Sequence, residues 1–386
     1  MANSEKLITR RRPFQQALHA WYRVHRRKLP WRRAPSLYKT LVAEFMLQQT
    51  QVATVLPYFS RWLRELPDFA ALATAPEAKV MKLWEGLGYY TRARNLHRLA
   101  QAYVTAPTKP RLSAEWLELP GVGPYTAAAI TSIAFGEPAA VVDGNVVRIL
   151  ARLSGEGRLF RAGSEAVGFF TPLADALGVG SNPGEHNQAM MELGATVCLR
   201  ANPQCQICPV AKFCAARKSG SPEKLPRFKP KQIEQRNVTR VWCLHRDRIL
   251  LRRSHARAKR LAGLHELPEA SDLGIMIPSL RGARQSDAAI QMDRHNPSPR
   301  LRTTSARPSR ARDDKKMFTL LAVKRRAITR FQITESIYAL RPTSTLLKHI
   351  AKNEALDWVP LTKLDSVALS GPHKRWIGEL RTAGKT

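Results

Sequence analysis

Four of the five cysteines in this 386-residue chain fall between Cys198 and Cys214, as C-x6-C-x2-C-x5-C through Cys205 and Cys208. Thiolates gathered by short loops are soft ligands, and an all-cysteine set suits a metal centre. Pro203 and Pro209 keep the connecting chain out of a helix, so it can wrap around a metal. Spacing alone leaves zinc and an iron–sulfur cluster both open. The fifth, Cys243, stands apart on an expected strand and reads as core. A second chemical stretch is LPGVGPYTAAAI, residues 119–130. Gly121 and Gly123 permit a tight turn with close backbone approach. The amides of that turn and of the following helix can hold a phosphate without reading bases. Asp143, in AAVVDGNVVRIL, precedes a further helix, where a carboxylate accepts from helix N–H groups. Even as a cap it would lie near the hairpin and any phosphate held there.

These groups need a scaffold. The chain suffices for more than one domain. Hydrophobic residues make up 44%, which is ordinary, but 63 Lys and Arg face 30 Asp and Glu, a formal charge of +33. Such a balance points to a polyanionic partner. No apolar run is long enough for a membrane span. TRRRPF near the start is followed by polar, basic residues rather than an apolar core, so export is not expected. Clustered cysteines, odd in number, do not make a secreted disulfide framework. A cytoplasmic, nucleoid-associated monomer is the expectation.

Helical periodicity runs through LVAEFMLQQTQVATVLPYFSRWL, KVMKLWEGLGYYTRARNLHRLAQAY and NQAMMELGATVC. Residues 1–225 therefore read as an all-α domain, with a helix-hairpin-helix at 113–135 and the cysteine loop at 198–214. A basic, proline-punctuated linker follows at 226–236. From residue 237 the period becomes that of strands: NVTRVWCLHRDRILLRR predicts a hairpin turning at Arg246-Asp247, and ITRFQITESIYAL a further strand pair. The segment 271–316, Arg/Ser/Pro-rich, reads as a disordered basic insertion in an α+β domain, 237–386.

The hairpin, an Asp about twenty residues after it and the cysteine spacing together resemble the endonuclease III superfamily of DNA glycosylases. That resemblance implies a [4Fe–4S] cluster on Cys198, Cys205, Cys208 and Cys214. LPWR at 29–32, AEFMLQQTQVATVLPYF from Ala43 and WEGLGYYTRARNLH from Trp84 resemble the MutY-type adenine DNA glycosylases, over residues 14–225. The resemblance implies excision of adenine mispaired with 8-oxoguanine or guanine in double-stranded DNA. Glu44 is then the general acid that protonates adenine N7. Asp143 stabilises or attacks the oxocarbenium-like sugar, oriented by Asn145 and Tyr125, in the manner of two-carboxylate glycoside hydrolysis. Trp31, Arg32 and Glu192 match positions lining the adenine pocket. Gln48, Gln49, Thr50 and Tyr89 match positions that wedge into the duplex, and Gly121 and Gly123 hold its backbone. Bifunctional relatives carry a Lys where this chain has Tyr125, so no Schiff base and no strand cleavage are expected. Some members have a Lys where Val147 stands, so trapping on DNA through that position is not expected. Other readings of the same residues are an endonuclease III-type glycosylase and lyase, or a non-enzymatic iron–sulfur mismatch-binding protein.

RVWCLHRDRILLRRSHARAKRLAGLHELPE resembles the start of the Nudix-like domain such enzymes append, and residues 357–377 its terminal strand and helix. No Glu occurs from Ala270 to Thr334, so the metal-holding helix of an active Nudix hydrolase is missing. The family's Phe-Ser-His loop is replaced by Ala327-Ile328-Thr329-Arg330-Phe331. Thr329 and Arg330 are the expected lesion contacts there.

Overall fold

The structure, a computed structural model, describes residues 2–230, 232–255, 263–275, 318–328 and 330–383. The chain divides into two compact units, Met1–Lys231 and Gln232–Thr386.

The first unit is helical. Its helices are α1 Ala2–Thr9, α2 Arg11–His25, α3 Pro30–Arg33, α4 Leu37–Leu47, α5 Val52–Glu65, α6 Phe69–Thr74 and α7 Glu77–Trp84. They continue with α8 Thr91–Thr105, α9 Ser113–Leu117, α10 Pro124–Phe135, α11 Gly144–Ser154, α12 Gly163–Gly178, α13 Pro183–Thr196 and α14 Ala215–Lys218. Their starts are written locally. Ser36 caps α4 by accepting from the Lys39 amide, Asp143 caps α11, and Asn182 caps α13 with Pro183 in the first helical position. The two long periodic stretches are each broken once. The first divides into α4 and α5 at residues 48–51, and the second into α7 and α8 at 85–90. Buried apolar faces of α2, α11, α12 and α13 share one core around Phe14, Leu18, Leu150, Phe170 and Leu193.

In the hairpin, Gly121 has φ of +77°, and a Cβ there would stand 2.4 Å from Asn95 Cβ on α8. Only glycine satisfies both the left-handed backbone and that approach. The turn itself thus packs against α8 at Asn95.

The segment expected to be a linker is partly ordered against this unit. A strand Arg227–Phe228, β2, pairs in parallel with Leu159–Phe160, β1, and the Arg152 guanidinium binds the carbonyls of Pro222 and Leu225.

Among the described residues the second unit holds a mixed sheet of six strands: β3 Glu234–His245, β4 Arg248–Arg253, β5 His265–Glu266, β6 Phe318–Ile328, β7 Phe331–Leu340 and β8 Leu356–Pro360. The order is β5-β4-β3-β7-β6, with β8 also on β4. β3 runs parallel to β7, and the other pairs are antiparallel. The β3–β4 hairpin turns at Arg246-Asp247, as its sequence predicts; Arg246 takes the left-handed conformation at φ 55°. Val241, Cys243 and Leu250 face helix α15, Ser344–Ala351, through Ile350. Trp242, Ile249 and Leu251 face helix α16, Gly371–Ala383, through Trp376 and Ile377. The period-two alternation of the strands thus supplies two cores, one on each face.

ITRFQITESIYAL is not two strands. Ile328 ends β6, and Phe331–Leu340 forms the single strand β7. The expected insertion also begins later than residue 271, because Ala270–Leu273 forms a 3-10 turn with Leu273 buried beside α15. Residues 276–316 lie outside the described residues.

Candidate active site

A cleft of about 760 Å³ opens in the helical unit, lined by Trp31, Arg32, Glu44, Thr50, Tyr125, Asp143 and Asn145. Four elements, α3, α4 and the N-termini of α10 and α11, deliver these groups together with the α4–α5 loop, which carries Thr50.

Glu44, in the penultimate turn of α4, is only 6% exposed, and its Oε2 is buried without a hydrogen-bond partner. Burial pushes its pKa up to about 7, and the neighbouring Asp143 charge adds to this. A hydrogen bond from the Tyr125 hydroxyl and, less, the Arg32 charge pull the other way. The carboxyl therefore keeps a proton near neutral pH. Burial first, then Glu44 and Asp143, raise the Tyr125 hydroxyl well above its ordinary range, so it stays neutral. It donates to Met191 Sδ at 3.3 Å.

Asp143 is half-buried and fully engaged. Its Oδ1 accepts from the amides of Asn145 at 2.9 Å and Val146 at 2.8 Å, and its Oδ2 from Asn145 Nδ2 at 2.9 Å. It is an N-cap, and it also faces the cleft. One wall of the cleft thus carries a protonated acid and the other an oriented carboxylate.

Trp31 is 8% exposed and meets Phe59 edge to face at a centroid distance of 5.2 Å. Glu192, expected at the pocket wall, lies behind it, with no exposed surface. Its Oε1 accepts from the Arg27 amide and Nε, and its Oε2 from Arg27 Nη2 and Arg32 Nη1, all at 2.8–3.0 Å. Burial pushes its pKa up, but hydrogen bonds and charge from Arg27 and Arg32 outweigh this and hold it below its ordinary value. Glu192 therefore aims two arginines at the cleft rather than touching its contents.

Sequence reading missed Arg27, Arg148 and Arg200, which also line the cleft. Arg27 was hidden in a basic run. Arg148 follows Asn145 by one helical turn, a spacing that puts both on one face. It donates to Asn145 Oδ1 at 2.9 Å, Gly194 O at 2.8 Å and Cys198 O at 2.8 Å.

Of the expected wedge residues, Thr50 lines the cleft, Gln48 donates to Thr126 Oγ1 at 3.3 Å, and Gln49 and Tyr89 project to solvent. Thr329 lies outside the described residues. Arg330, in the β6–β7 turn of the other unit, pairs with Glu234 at 2.8 Å and stands over the Phe331 ring at 5.2 Å.

Cys198, Cys205, Cys208 and Cys214 line one small apolar cavity with Ile149, Leu153, Leu193 and Val197. The buried Arg152 donates to Cys198 Sγ at 3.3 Å and to the carbonyls of Leu199 and Arg200. Among the described residues no three ligating side chains converge on a single-ion site. Four soft thiols around one shared cavity, with a guanidinium donating to sulfur, suit a metal centre with all-cysteine ligation.

Residues 42–159, which include Glu44, the hairpin and Asp143, match the family described as HhH-GPD superfamily base excision DNA repair protein. The matched stretch lies wholly within the helical unit. The chain is 43% identical over 227 residues to the adenine DNA glycosylase of Homo sapiens, covering 55% of this chain and 41% of that protein. It is 40% identical over 225 residues to the adenine DNA glycosylase of Schizosaccharomyces pombe, covering 53% and 49%. It is 35% identical over 244 residues to that of Buchnera aphidicola subsp. Baizongia pistaciae, covering 60% and 66%. The chain thus spans less than half the length of the human and yeast relatives. No helix among the described residues is long and apolar enough to cross a membrane.

Proposed function

We propose that this chain is a monofunctional DNA glycosylase that removes adenine mispaired with 8-oxoguanine or guanine. The observation that carries this reading is Glu44: a carboxyl buried without a partner on Oε2, with a pKa of about 7, across a cleft from an oriented Asp143. Adenine leaves poorly as an anion. Protonated at N7 by Glu44, it departs neutral and leaves positive charge on the sugar. Asp143, oriented by three donated hydrogen bonds, stabilises that charge or adds to C1′ before water completes hydrolysis. The base must leave the stack to reach Glu44, and a 760 Å³ cleft has room for it. Arg27, Arg32, Arg148 and Arg200 supply the positive lining a phosphate backbone requires. Tyr125 offers no amine, so the sugar is not expected to be trapped as a Schiff base.

The four cysteines would hold a [4Fe–4S] cluster. When bound it would fold the 198–214 loop onto α11 and α13, remote from the reacting base. Arg152 orders the sulfur and carbonyls of that loop, and Arg148 links its first carbonyl to Asn145. The second unit we read as Nudix-like and without hydrolase activity, with its β6–β7 turn reading the lesion.

A duplex holding 8-oxoguanine opposite a labelled adenine tests the reading. A strand break at adenine that appears only after alkali is the expected result. A break without alkali would favour the lyase reading. Binding without any break would favour a mismatch-binding protein.

A further inference from the structure

The two helix breaks, 48–51 and 85–90, lie beside each other on either side of Arg92, and Thr50 and Gln51 of the first line the cleft. Each holds a strained residue. Gln49 has φ of 56° and Tyr89 of 48°, two of only four left-handed non-glycine residues among those described. Such backbone costs on the order of 1 kcal/mol per residue and persists only where surrounding structure enforces it. Both side chains point outward, with Tyr89 54% exposed.

One side chain enforces both. Arg92, the second residue of α8, is 7% exposed. Its Nη1 donates to the carbonyls of Phe45, Met46 and Gln48, and its Nη2 to Thr50 Oγ1 and the carbonyls of Leu87 and Gly88, across 2.5–3.2 Å. The first two acceptors are among the last carbonyls of α4 and the third belongs to its C-cap Gln48, where intrahelical donors have run out. The guanidinium also lies at the negative end of that helix dipole. Trp84 Nε1 reinforces the second loop by donating to Gly88 O at 3.0 Å. The guanidinium stands 5.3 Å from the Trp84 ring centroid and 5.5 Å from that of Tyr89. No lysine could reproduce this, because an ammonium is a single point and a guanidinium spans two loops at once.

We propose that Arg92 is a positioning residue that joins the 48–51 and 86–89 loops into one rigid prong and locks that prong to α4, the helix that carries Glu44. Opening of a duplex by Gln49 and Tyr89 and delivery of the extruded base to Glu44 then share one fixed register. The inference rests on the glycosylase reading above. It identifies Arg92 as the residue through which duplex opening, rather than bond cleavage, is controlled.

Two measurements test it. The first is fluorescence of 2-aminopurine placed opposite 8-oxoguanine, in a Glu44→Gln background so that no excision intervenes. The parent protein should raise the emission as the base leaves the stack. Adding Arg92→Lys should keep duplex affinity within about threefold while lowering the rate of the rise at least tenfold. An Arg92→Lys rise equal to the parent's would overturn the inference and leave the glycosylase reading standing. No rise with the parent, together with no alkali-labile break with the unmodified enzyme, would overturn both. The second needs no variant and so is immune to misfolding. Native-state hydrogen exchange of the unmodified protein follows the Thr50 and Leu87 amides, which are bonded within the two loops to Leu47 O and Trp84 O. One rigid prong requires them to open together, with a single dependence on denaturant. Separate openings would overturn the proposal.

Discussion

Two glutamates, one in each unit, are buried to nearly the same degree and carry opposite properties. Glu44 in the helical unit is 6% exposed and has one oxygen without a partner; its pKa rises to about 7. Glu335, on strand β7, has no exposed surface, and its pKa falls to about 2. Burial acts on both in the same direction, against the charged form. What differs is company. The Glu335 carboxylate meets Arg240 Nε at 2.7 Å, Arg326 Nε closer still, and His373 Nε2 at 3.6 Å. Glu266 shares the same cluster, 3.7 Å from Arg240 and 3.4 Å from His373. Glu44 has only the Tyr125 hydroxyl, a distant Arg32 charge and the repulsive Asp143. Low dielectric magnifies whichever partner is present. A paired buried acid becomes an inert strut, and an unpaired one becomes a proton donor.

The largest effect is expected where cations surround the acid. Glu335→Gln leaves Arg240 and Arg326 facing a neutral amide in a dry core. Removing one partner of a buried ion pair costs about 3–5 kcal/mol. The urea midpoint of the second unit should fall accordingly, while excision of base already bound at Glu44 should not change. A stability loss below about 1 kcal/mol would mean the cluster is solvated and the contrast with Glu44 is false. Glu44→Gln should do the reverse. Single-turnover excision should drop at least ~10²-fold, as for loss of a general acid, with duplex binding kept within a few-fold. Retained excision would remove Glu44 from the chemistry.

The contrast between these acids was only half legible in the sequence. The cysteine spacing, the hairpin glycines and the stretch around Glu44 are local patterns, and the helical cleft gathers Glu44, Tyr125 and Asp143 as such patterns imply. The β3–β4 turn at Arg246-Asp247 is equally local. Pairing is not. Arg240 and Glu335 are 95 positions apart, and nothing near either residue signals the other. The same holds for Glu192, which reads as a wall residue until Arg27 and Arg32, some 160 positions earlier, fold over it. Periodicity also ran unbroken through Gln48–Gln51. The break there is held by Arg92 from a different helix, a long-range cap that no window on the sequence contains.

The two acids should also give opposite pH dependence of stability. Glu335 has a folded pKa below its unfolded value near 4.5. Its contribution is complete above the unfolded value and is lost as pH falls toward about 2. Glu44 has a folded pKa above its unfolded value. The unfolded chain gives up that proton first, so stability declines as pH rises from about 4.5 to about 7 and is level beyond. Thermal melts of Glu44→Gln should therefore match the parent below pH 4 and exceed it at pH 8, by on the order of 3 kcal/mol. Equal stability at pH 8 would mean that water solvates Glu44 and that its raised pKa is not real. In excision assays on bound duplex, the rate should fall about tenfold per pH unit above about 7, because only the protonated acid donates.

The smallest effect isolates the weak partner that Glu44 does have. The Tyr125 hydroxyl donates to Met191 Sδ at 3.3 Å, and a thioether is a poor acceptor. A hydroxyl hydrogen rotates freely, so ionisation of Glu44 gives it a better target. The donated bond stabilises the carboxylate and holds the Glu44 pKa lower than burial alone would set it. Tyr125→Phe removes that bond and keeps the ring that fills the cleft wall. One net hydrogen bond is worth roughly 1 kcal/mol, which is under about one pH unit of displacement. The falling limb of the excision profile should therefore move to higher pH by that amount. A lower rate with an unmoved limb would assign Tyr125 to holding the sugar or Asp143 instead. A limb moved to lower pH would mean that the hydroxyl favours the protonated acid, which would reverse the direction of the Tyr125–Glu44 coupling.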